Sequence, residues 1–228
     1  MKLVGTAISL ALFGLLPACS SMHSMAPELA NGVTYTVEFT PMWTAQSHPI
    51  DYPQAGVLTG PHFSGMIGAS HGANFTLFAE GRMPTPGLER LSEMGKHSPQ
   101  DEEIRVAIAA GNAGDLFEGD AIKDLTKSAT TTLEVSAKFP LVSLVAMIAP
   151  SPDWFAGAAD VNLRDGNQWL ATKEVTLWTY DSGGDAGTTY TADDIDLDPK
   201  QPTRLNDAAP FMKNGQRMAV GHVTFRRQ

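Results

Sequence analysis

The chain has 228 residues, of which 43% are hydrophobic and 18% are charged, so it is long enough to bury a sizeable globular core. Its formal net charge of −9 argues against nucleic acid and anionic lipid as partners, since both attract basic surfaces, and it suits a cation or a cationic partner. The single cysteine excludes a disulfide within the chain and the common cysteine-based zinc sites.

Residues 1–18 have the pattern of an export signal. A positive start at Lys2 precedes an apolar run over residues 3–16, which is too short to cross a bilayer as a helix. The string Leu16-Pro17-Ala18-Cys19 resembles the bacterial lipobox, which implies that Cys19 is lipidated and anchors the protein to a membrane. Ser20 in place of Asp implies sorting to the outer membrane. An ordinary secretory leader with an incidental cysteine is the alternative.

Residues 19–32 carry the lipidated cysteine and a small, polar tether without periodicity, and residues 33–228 form one domain. Residues 33–40 alternate β-formers and predict a first strand, which a turn-rich segment follows from 41 to 72. Residues 88–94 predict a short helix that closes at Gly95.

A second helix is predicted from Ser98 to about Ala110. Ser98 can cap it, Pro99 fits its first position, acidic residues occupy its first turn, and Gly111 stops it. Beyond it the chain becomes β in character, and short strands separated by turns indicate a sandwich or barrel. The strand candidates are residues 133–138, 141–149, 158–163, 174–180 and 219–226.

Several strings in this order resemble the spondin N-terminal domain, a module of F-spondin and of many exported bacterial proteins. The most diagnostic is Pro150-Ser151-Pro152-Asp153-Trp154-Phe155, which follows an apolar strand. The resemblance spans roughly residues 33–227 and implies an all-β fold with one or two short helices, an antiparallel β-sandwich of the calcium-binding type. The other matching strings are Phe39-Thr-Pro-Met-Trp43, His48-Pro49, Pro61-His-Phe-Ser64, Ile67-Gly-Ala-Ser-His71, Ala79-Glu-Gly81, Leu91-Ser-Glu-Met-Gly95, Trp169, the segment 180–188 and Gly221-His-Val-Thr-Phe225.

The resemblance further implies a Ca²⁺ ion held by Asp153, Asp181 and Asp185 at one end of the sandwich. The stretch Ser182-Gly183-Gly184 departs from the commoner family sequence but keeps the spacing between the two later aspartates. Calcium takes six to eight oxygen ligands, and carboxylates brought together without a cation repel one another. Three solvated loop aspartates are the alternative.

Other patterns compete for a role. The acidic run at residues 193–198 lacks the glycine and glutamate of an EF-hand, and we expect either a solvated loop or a contribution to the same ion or a second one. Trp154 and Phe155 form a possible recognition surface for a membrane or partner, or else they cap the core. His48, His62, His71 and His97 lack zinc-site spacing, so buried, hydrogen-bonded histidines are expected.

The leading functional hypothesis is a non-catalytic binding module in the cell envelope, because the resemblance implies adhesion or recognition of a protein or glycan. The second is a structural envelope lipoprotein in which calcium only stabilises the fold or is absent. The third, a metal-dependent hydrolase, is disfavoured because no catalytic residue is marked and no general acid or base stands beside the aspartates.

Overall fold

A computed structural model describes residues 32–54 and 60–228, and within these ranges strands predominate. The predicted signal, Cys19 and almost all of the tether therefore lie outside the described residues. In chain order the elements are β1 (Val33–Pro41), β2 (His62–Phe63), β3 (Ile67–His71), α1 (Pro86–Met94), α2 (Gln100–Ala109), β4 (Ala113–Glu118), β5 (Ala129–Val135), β6 (Leu141–Ala149), β7 (Trp154–Asn162), β8 (Arg164–Asp165), β9 (Gln168–Trp169), β10 (Thr172–Asp181), β11 (Arg204–Leu205), a 3₁₀ turn (Ala209–Phe211), β12 (Met212–Lys213), β13 (Gln216–Arg217) and β14 (Gly221–Arg227).

One large antiparallel sheet organises the domain, in the order β4-β3-β6-β7-β10-β14-β1-β5, with β2 paired to β6 and β11 paired to β10. The two ends of this order approach each other, because the Asp115 carboxylate of β4 accepts the Glu134 N–H of β5 at 2.8 Å. The sheet is therefore nearly barrel-shaped. The predicted all-β class with one or two short helices is confirmed.

The interior of the sheet holds the main apolar core. Alternate residues of β1 point inward, and Tyr35, Val37 and Phe39 have no exposed surface. They pack in one cluster with Phe225 of the neighbouring strand β14 and with side chains from more distant strands, including Ile148 of β6. This period-two alternation explains why residues 33–40 could be assigned to a strand before the fold was known.

The outer face of β3, β6 and β7 is covered by the two helices. Leu88 and Leu91 of α1 pack with Ile104 of α2 against Val145 and Phe155 of the sheet. The helix α1 begins after a cap in which the Thr85 hydroxyl accepts the Leu88 N–H, and it ends at Gly95 in the left-handed conformation. The prediction of a short helix closed by Gly95 is confirmed.

The start of α2 differs from the prediction. Pro99, rather than Ser98, occupies the cap position and provides no side-chain hydrogen bond. The Ser98 hydroxyl instead donates to the Glu102 carboxylate at 3.1 Å, because the helix begins one residue later than expected. The acidic first turn, which the positive helix N-terminus favours, was predicted correctly.

The strand β3 lies inside the segment that the sequence predicted to be turn-rich. Gly68 and Ser70 are weak β-formers, but the close packing of this strand requires a glycine. A Cβ on Gly68 would lie 2.3 Å from the Ser143 carbonyl oxygen and 2.6 Å from the Phe117 ring. Tertiary packing therefore outweighs local propensity here.

The remaining strand predictions differ mainly at their ends. The strand predicted at 141–149 matches β6 at both ends, and those at 174–180 and 219–226 match β10 and β14 within two residues. The other two begin four residues earlier than predicted, at Ala129 for β5 and at Trp154 for β7.

Candidate functional site

The first predicted aspartate, Asp153, ends the tight turn between β6 and β7. Ser151 fixes this turn, since its hydroxyl donates to the Ile148 carbonyl and accepts the Trp154 N–H at 3.2 Å. Two prolines stiffen the backbone between the strands. The turn delivers Asp153 to the end of the sheet, where it is fully buried.

The loop that follows β10 wraps its donors around the Asp153 carboxylate. Oδ2 accepts the Ser182 hydroxyl at 2.8 Å and three successive backbone N–H groups, from Gly183 at 2.9 Å, Gly184 at 2.7 Å and Asp185 at 3.1 Å. Hydrogen bonds to a carboxylate are shorter and stronger than those between neutral groups, so they fix this side chain firmly in the loop. The other oxygen, Oδ1, is buried with no hydrogen-bond partner in the described chain.

Glycine is required where this loop turns. Gly183 has φ of +92°, and a Cβ there would lie 2.0 Å from the Gln201 carbonyl oxygen. The Gly183 N–H also donates to Asp181 Oδ1 at 2.9 Å, so one residue links two of the predicted aspartates. The Ser-Gly-Gly departure from the commoner family sequence is thus compatible with a tight loop.

The second aspartate, Asp181, ends β10 opposite Trp154 and Arg204. Its Oδ2 accepts a guanidinium N–H of Arg204 at 2.6 Å. The pKa of the Asp181 carboxyl is raised to about 6. Burial is the largest cause and the charge of Asp153 the second, and the charge of Arg204 lowers the pKa by less than Asp153 raises it. Arg204 thus compensates only part of the cost of holding two buried carboxylates together.

The third aspartate, Asp185, is also buried, and both its oxygens accept backbone N–H groups. Oδ1 accepts from Gly187 and Oδ2 from Ile195, each at 2.6 Å. Backbone bonds from Ala186 to Ile195 and from Leu197 to Gly184 dock the acidic run onto this loop. The aspartate side chains of that run, Asp193, Asp194, Asp196 and Asp198, are exposed, as expected for a solvated loop.

Two glutamates that the sequence analysis did not single out lie beside these aspartates. Glu89 and Glu93 are one turn apart on α1, and Glu93 Oε1 would be 2.9 Å from a Cβ on Gly184. Burial, followed by the charge of Glu89, raises the pKa of Glu93 to about 7. Lys200 forms an ion pair with Glu89. The i,i+4 spacing puts both on one helix face, but nothing in the sequence indicates that this face meets the Asp185 loop.

The three predicted aspartates therefore meet around the loop that follows β10, and the contacts that join them are mainly from its backbone N–H groups. Over residues 32–54 and 60–228, no group of three or more His, Cys, Asp or Glu side chains is arranged to hold a metal ion. Carboxylate oxygens are nonetheless ligands that calcium prefers, and Asp153 Oδ1 has no hydrogen-bond partner among the described residues. The residues fit the ion in kind, and the calcium site stays a prediction.

The predicted recognition surface at Trp154 and Phe155 is wrong, because neither residue has exposed area. Consecutive strand residues point to opposite faces, so Trp154 enters the inner core against Phe211, while Phe155 packs outside against Phe78 and Tyr180. The alternative, in which they belong to the core, describes both residues.

Two of the four histidines, His48 and His71, are buried as predicted, whereas His62 and His97 are only partly buried. His71 is fully buried, with its ring nitrogens 2.9 Å from the Gly72 carbonyl and 2.8 Å from the Ser143 hydroxyl. His48 is buried, and burial lowers its pKa to about 4. The His97 ring lies 2.5 Å from a Glu118 carboxylate oxygen through Nδ1 and 3.0 Å from the Gly65 carbonyl oxygen through Nε2. The Nδ1 atom of the partly buried His62 lies 2.9 Å from the Gly60 carbonyl oxygen.

Comparison with known proteins identifies the class to which this fold and loop belong. The chain belongs to the Spondin_N family, whose match covers residues 33–214. It is 29% identical to Spondin-2 of Homo sapiens over 179 residues, which cover 77% of this chain and 53% of that protein. It is 29% identical to Spondin-1 of Bos taurus over 179 residues, covering 74% of this chain and 20% of that protein.

The chain therefore spans about half the length of the human Spondin-2 that it matches. No helix among the described residues is long and apolar enough to cross a membrane.

Proposed function

We propose that this protein is a non-catalytic, calcium-binding lipoprotein module of the cell envelope that recognises a protein or glycan partner, as in adhesion. Membership of the Spondin_N family supports a recognition module over an enzyme. Because a shared fold hosts many functions, the proposal rests on the chemistry of the aspartate loop.

The observation that carries the proposal is the concentration of buried negative charge at one end of the sheet. Each of the three aspartates, Asp153, Asp181 and Asp185, is at most 3% exposed. Arg204 forms an ion pair with Asp181. Buried carboxylates in this density cost stability unless a cation neutralises them. Burial first, and the charge of Asp153 second, raise the pKa of Asp181 in spite of its Arg204 partner.

The aspartates that would hold calcium are those predicted from the sequence. Asp153 would contribute Oδ1, which has no partner among the described residues, and Asp181 and Asp185 would use lone pairs not taken by their N–H donors. A calcium ion bound there would neutralise the repulsion between the carboxylates. The turn before β7 and the loop after β10 would then form one rigid surface for a partner.

The membrane anchor is proposed from the leader. Lipidation of Cys19, with the tether of residues 19–32, would hold the domain at the cell envelope, and Ser20 favours the outer membrane. Two or three acyl chains give stable anchoring where one would be marginal.

A second candidate is a structural lipoprotein in which calcium only stabilises the fold or is absent. The observation in its favour is the Asp153 carboxylate, which already accepts four hydrogen bonds through Oδ2. The loop is therefore ordered by the protein's own donors. The recognition module proposed first would need calcium to bind its partner, whereas a structural lipoprotein would not.

The direct test is calorimetric titration of calcium into the full chain, with the melting temperature followed in parallel. We expect one site and a rise in melting temperature, because a ligand of the folded state stabilises it. Asp181→Asn should lose both signals, and Asp193→Asn, which removes the same charge from an exposed position, should keep them. Absence of heat and thermal shift at millimolar calcium would exclude the ion.

Partner binding separates the two candidates. We would compare capture of envelope proteins and glycans by the anchored protein with calcium and with chelator. Binding that disappears with chelator and in Asp181→Asn supports calcium-dependent recognition. Binding that survives both changes supports the scaffold.

A further inference from the structure

A groove beside the aspartate loop has the properties of a side-chain binding site. It runs between the end of α1, the end of β6 and residues 190–192, and its volume is about 590 Å³. This lies within the usual range for ligand cavities, roughly 300–1,000 Å³. Most of its wall is apolar and includes Met94, Met147, Ala149, Pro150 and Ala192, while its polar lining includes His62 and Glu93.

The groove has one carboxylate in its wall, that of Glu93, which we use to name it the Glu93 groove. No hydrogen bond and no ion pair joins this carboxylate to another residue of the described chain, although it is half-buried. The nearby cation, Lys200, pairs with Glu89 instead. A half-buried carboxylate without a donor is an open acceptor site for a ligand.

The charge around the groove selects the sign of that ligand. Burial is the largest cause of the raised pKa of Glu93; the charges of Glu89, Asp153 and Asp196 raise it further and that of Lys200 lowers it, so acidic neighbours outnumber basic ones here. An anion would be repelled, and a purely apolar ligand would bury the carboxylate unpaired. A cation satisfies both conditions, provided that the group carrying it can also cover the methionine and alanine walls.

Lysine and arginine side chains have this form, because a long aliphatic stem packs on apolar surface while its charged end remains polar. Met94 is 51% exposed at the groove's rim, and Met147 is 8% exposed at its floor, so the stem has flexible side chains to pack against.

We propose that the Glu93 groove receives a lysine or arginine side chain of a protein partner, with its cationic group on Glu93 and its stem on the methionines. The site goes beyond the proposed function, because it names the chemistry of the partner and because no residue that lines the groove is a proposed calcium ligand. It lies against the aspartate loop, so a partner on that loop could occupy both sites.

The test uses small probes on the full chain. Nα-acetyl-lysine amide and Nα-acetyl-arginine amide carry the proposed side chains, and Nα-acetyl-norleucine amide carries a similar stem without charge. We would titrate each into isotope-labelled protein and follow the methyl resonances of Met94, Met147 and Ala192. We expect at least one cationic probe to shift these resonances and to bind roughly tenfold more tightly than norleucine amide.

The matched variants are Glu93→Gln and Glu102→Gln, which remove the same charge from neighbouring helices. Glu93→Gln should abolish the preference for the cation, and Glu102→Gln, at an exposed position, should preserve it. Equal binding of norleucine amide and both cations, or a preference that survives Glu93→Gln, would overturn the proposal. So would no methyl shift with any probe.

The same samples separate this site from the calcium proposal. We expect Asp181→Asn to bind the cationic probe and Glu93→Gln to bind calcium. If calcium binding fails in the wild-type protein while the cation preference holds, only the calcium proposal falls. If calcium binds and the cationic probes do not, only the groove proposal falls.

Discussion

Replacing Asp181 by asparagine should stabilise the protein when calcium is chelated, although it removes an ion pair. The side chain is buried, and its pKa rises from 3.8 to about 6 because burial and the Asp153 charge outweigh Arg204. Asparagine keeps an oxygen that can accept the Gly183 N–H and removes the charge.

The size of the effect follows from the pKa shift. A shift of one unit corresponds to about 1.4 kcal/mol, so the ionised Asp181 carboxylate weakens the fold by about 3 kcal/mol once the pH exceeds both pKa values. Because the pKa of Asp181 is raised in the folded state, its ionisation costs the fold nothing well below pH 3.8. The cost grows as the pH rises and reaches its full value once the pH exceeds about 6. The advantage of Asp181→Asn should be about 1 kcal/mol at pH 4.5 and about 3 kcal/mol at pH 7.5.

Urea denaturation in chelator at these two pH values measures the difference directly. The variant Asp193→Asn is the control, since an exposed aspartate should change stability by less than about 0.5 kcal/mol at either pH. If Asp181→Asn is less stable than the wild type at pH 7.5, the Arg204 ion pair outweighs desolvation and the reasoning is wrong. A difference that does not grow with pH would contradict it equally.

Three further predictions concern the loop, the helix layer and the anchor. Gly183→Ala should destabilise the protein by several kcal/mol in thermal or urea unfolding, because a Cβ would clash with a carbonyl, whereas Gly215→Ala, also at positive φ but in open space, should cost only about 1–2 kcal/mol. Leu91→Ala should lower the free energy of unfolding by about 2–5 kcal/mol, since Leu91 is fully buried between α1 and the sheet. Val106→Ala, at 70% exposure, should change it little. Equal effects would show that α1 does not cover the outer face of the sheet. Cys19→Ser should move the protein from the membrane to the soluble fraction of expressing cells and abolish labelling by a fatty-acid analogue, and persistence of either signal would exclude a lipid at that residue.

Local pattern determined the strands whose alternation is unbroken. β1 could be assigned because Tyr35, Val37 and Phe39 alternate with polar residues, and β6 because its residues are apolar except for Ser143. β3 could not be assigned, because Gly68 is required by the approach of Phe117, which lies about 50 residues further along the chain. A propensity scale has no access to that contact.

The aspartate loop shows the same division. Resemblance to a known family placed Asp153, Asp181 and Asp185 together, and the structure does bring them to one loop. That the backbone N–H groups of residues 183–185 hold Asp153 could not be read from side chains, since these donors converge only when β7 and β10 pair.

The sequence by itself determined the class of fold, the family and the residues of greatest interest, because these depend on composition, on period-two patterning and on strings of adjacent residues. Only the tertiary structure decided that Trp154 and Phe155 are buried on opposite faces, and that Glu93 on α1 meets a loop about 90 residues away. Burial and electrostatics belong to pairs of elements distant in the chain. For this reason the raised pKa values and the Glu93 groove emerge only once the sheet has wrapped around its core and α1 has docked on its outer face.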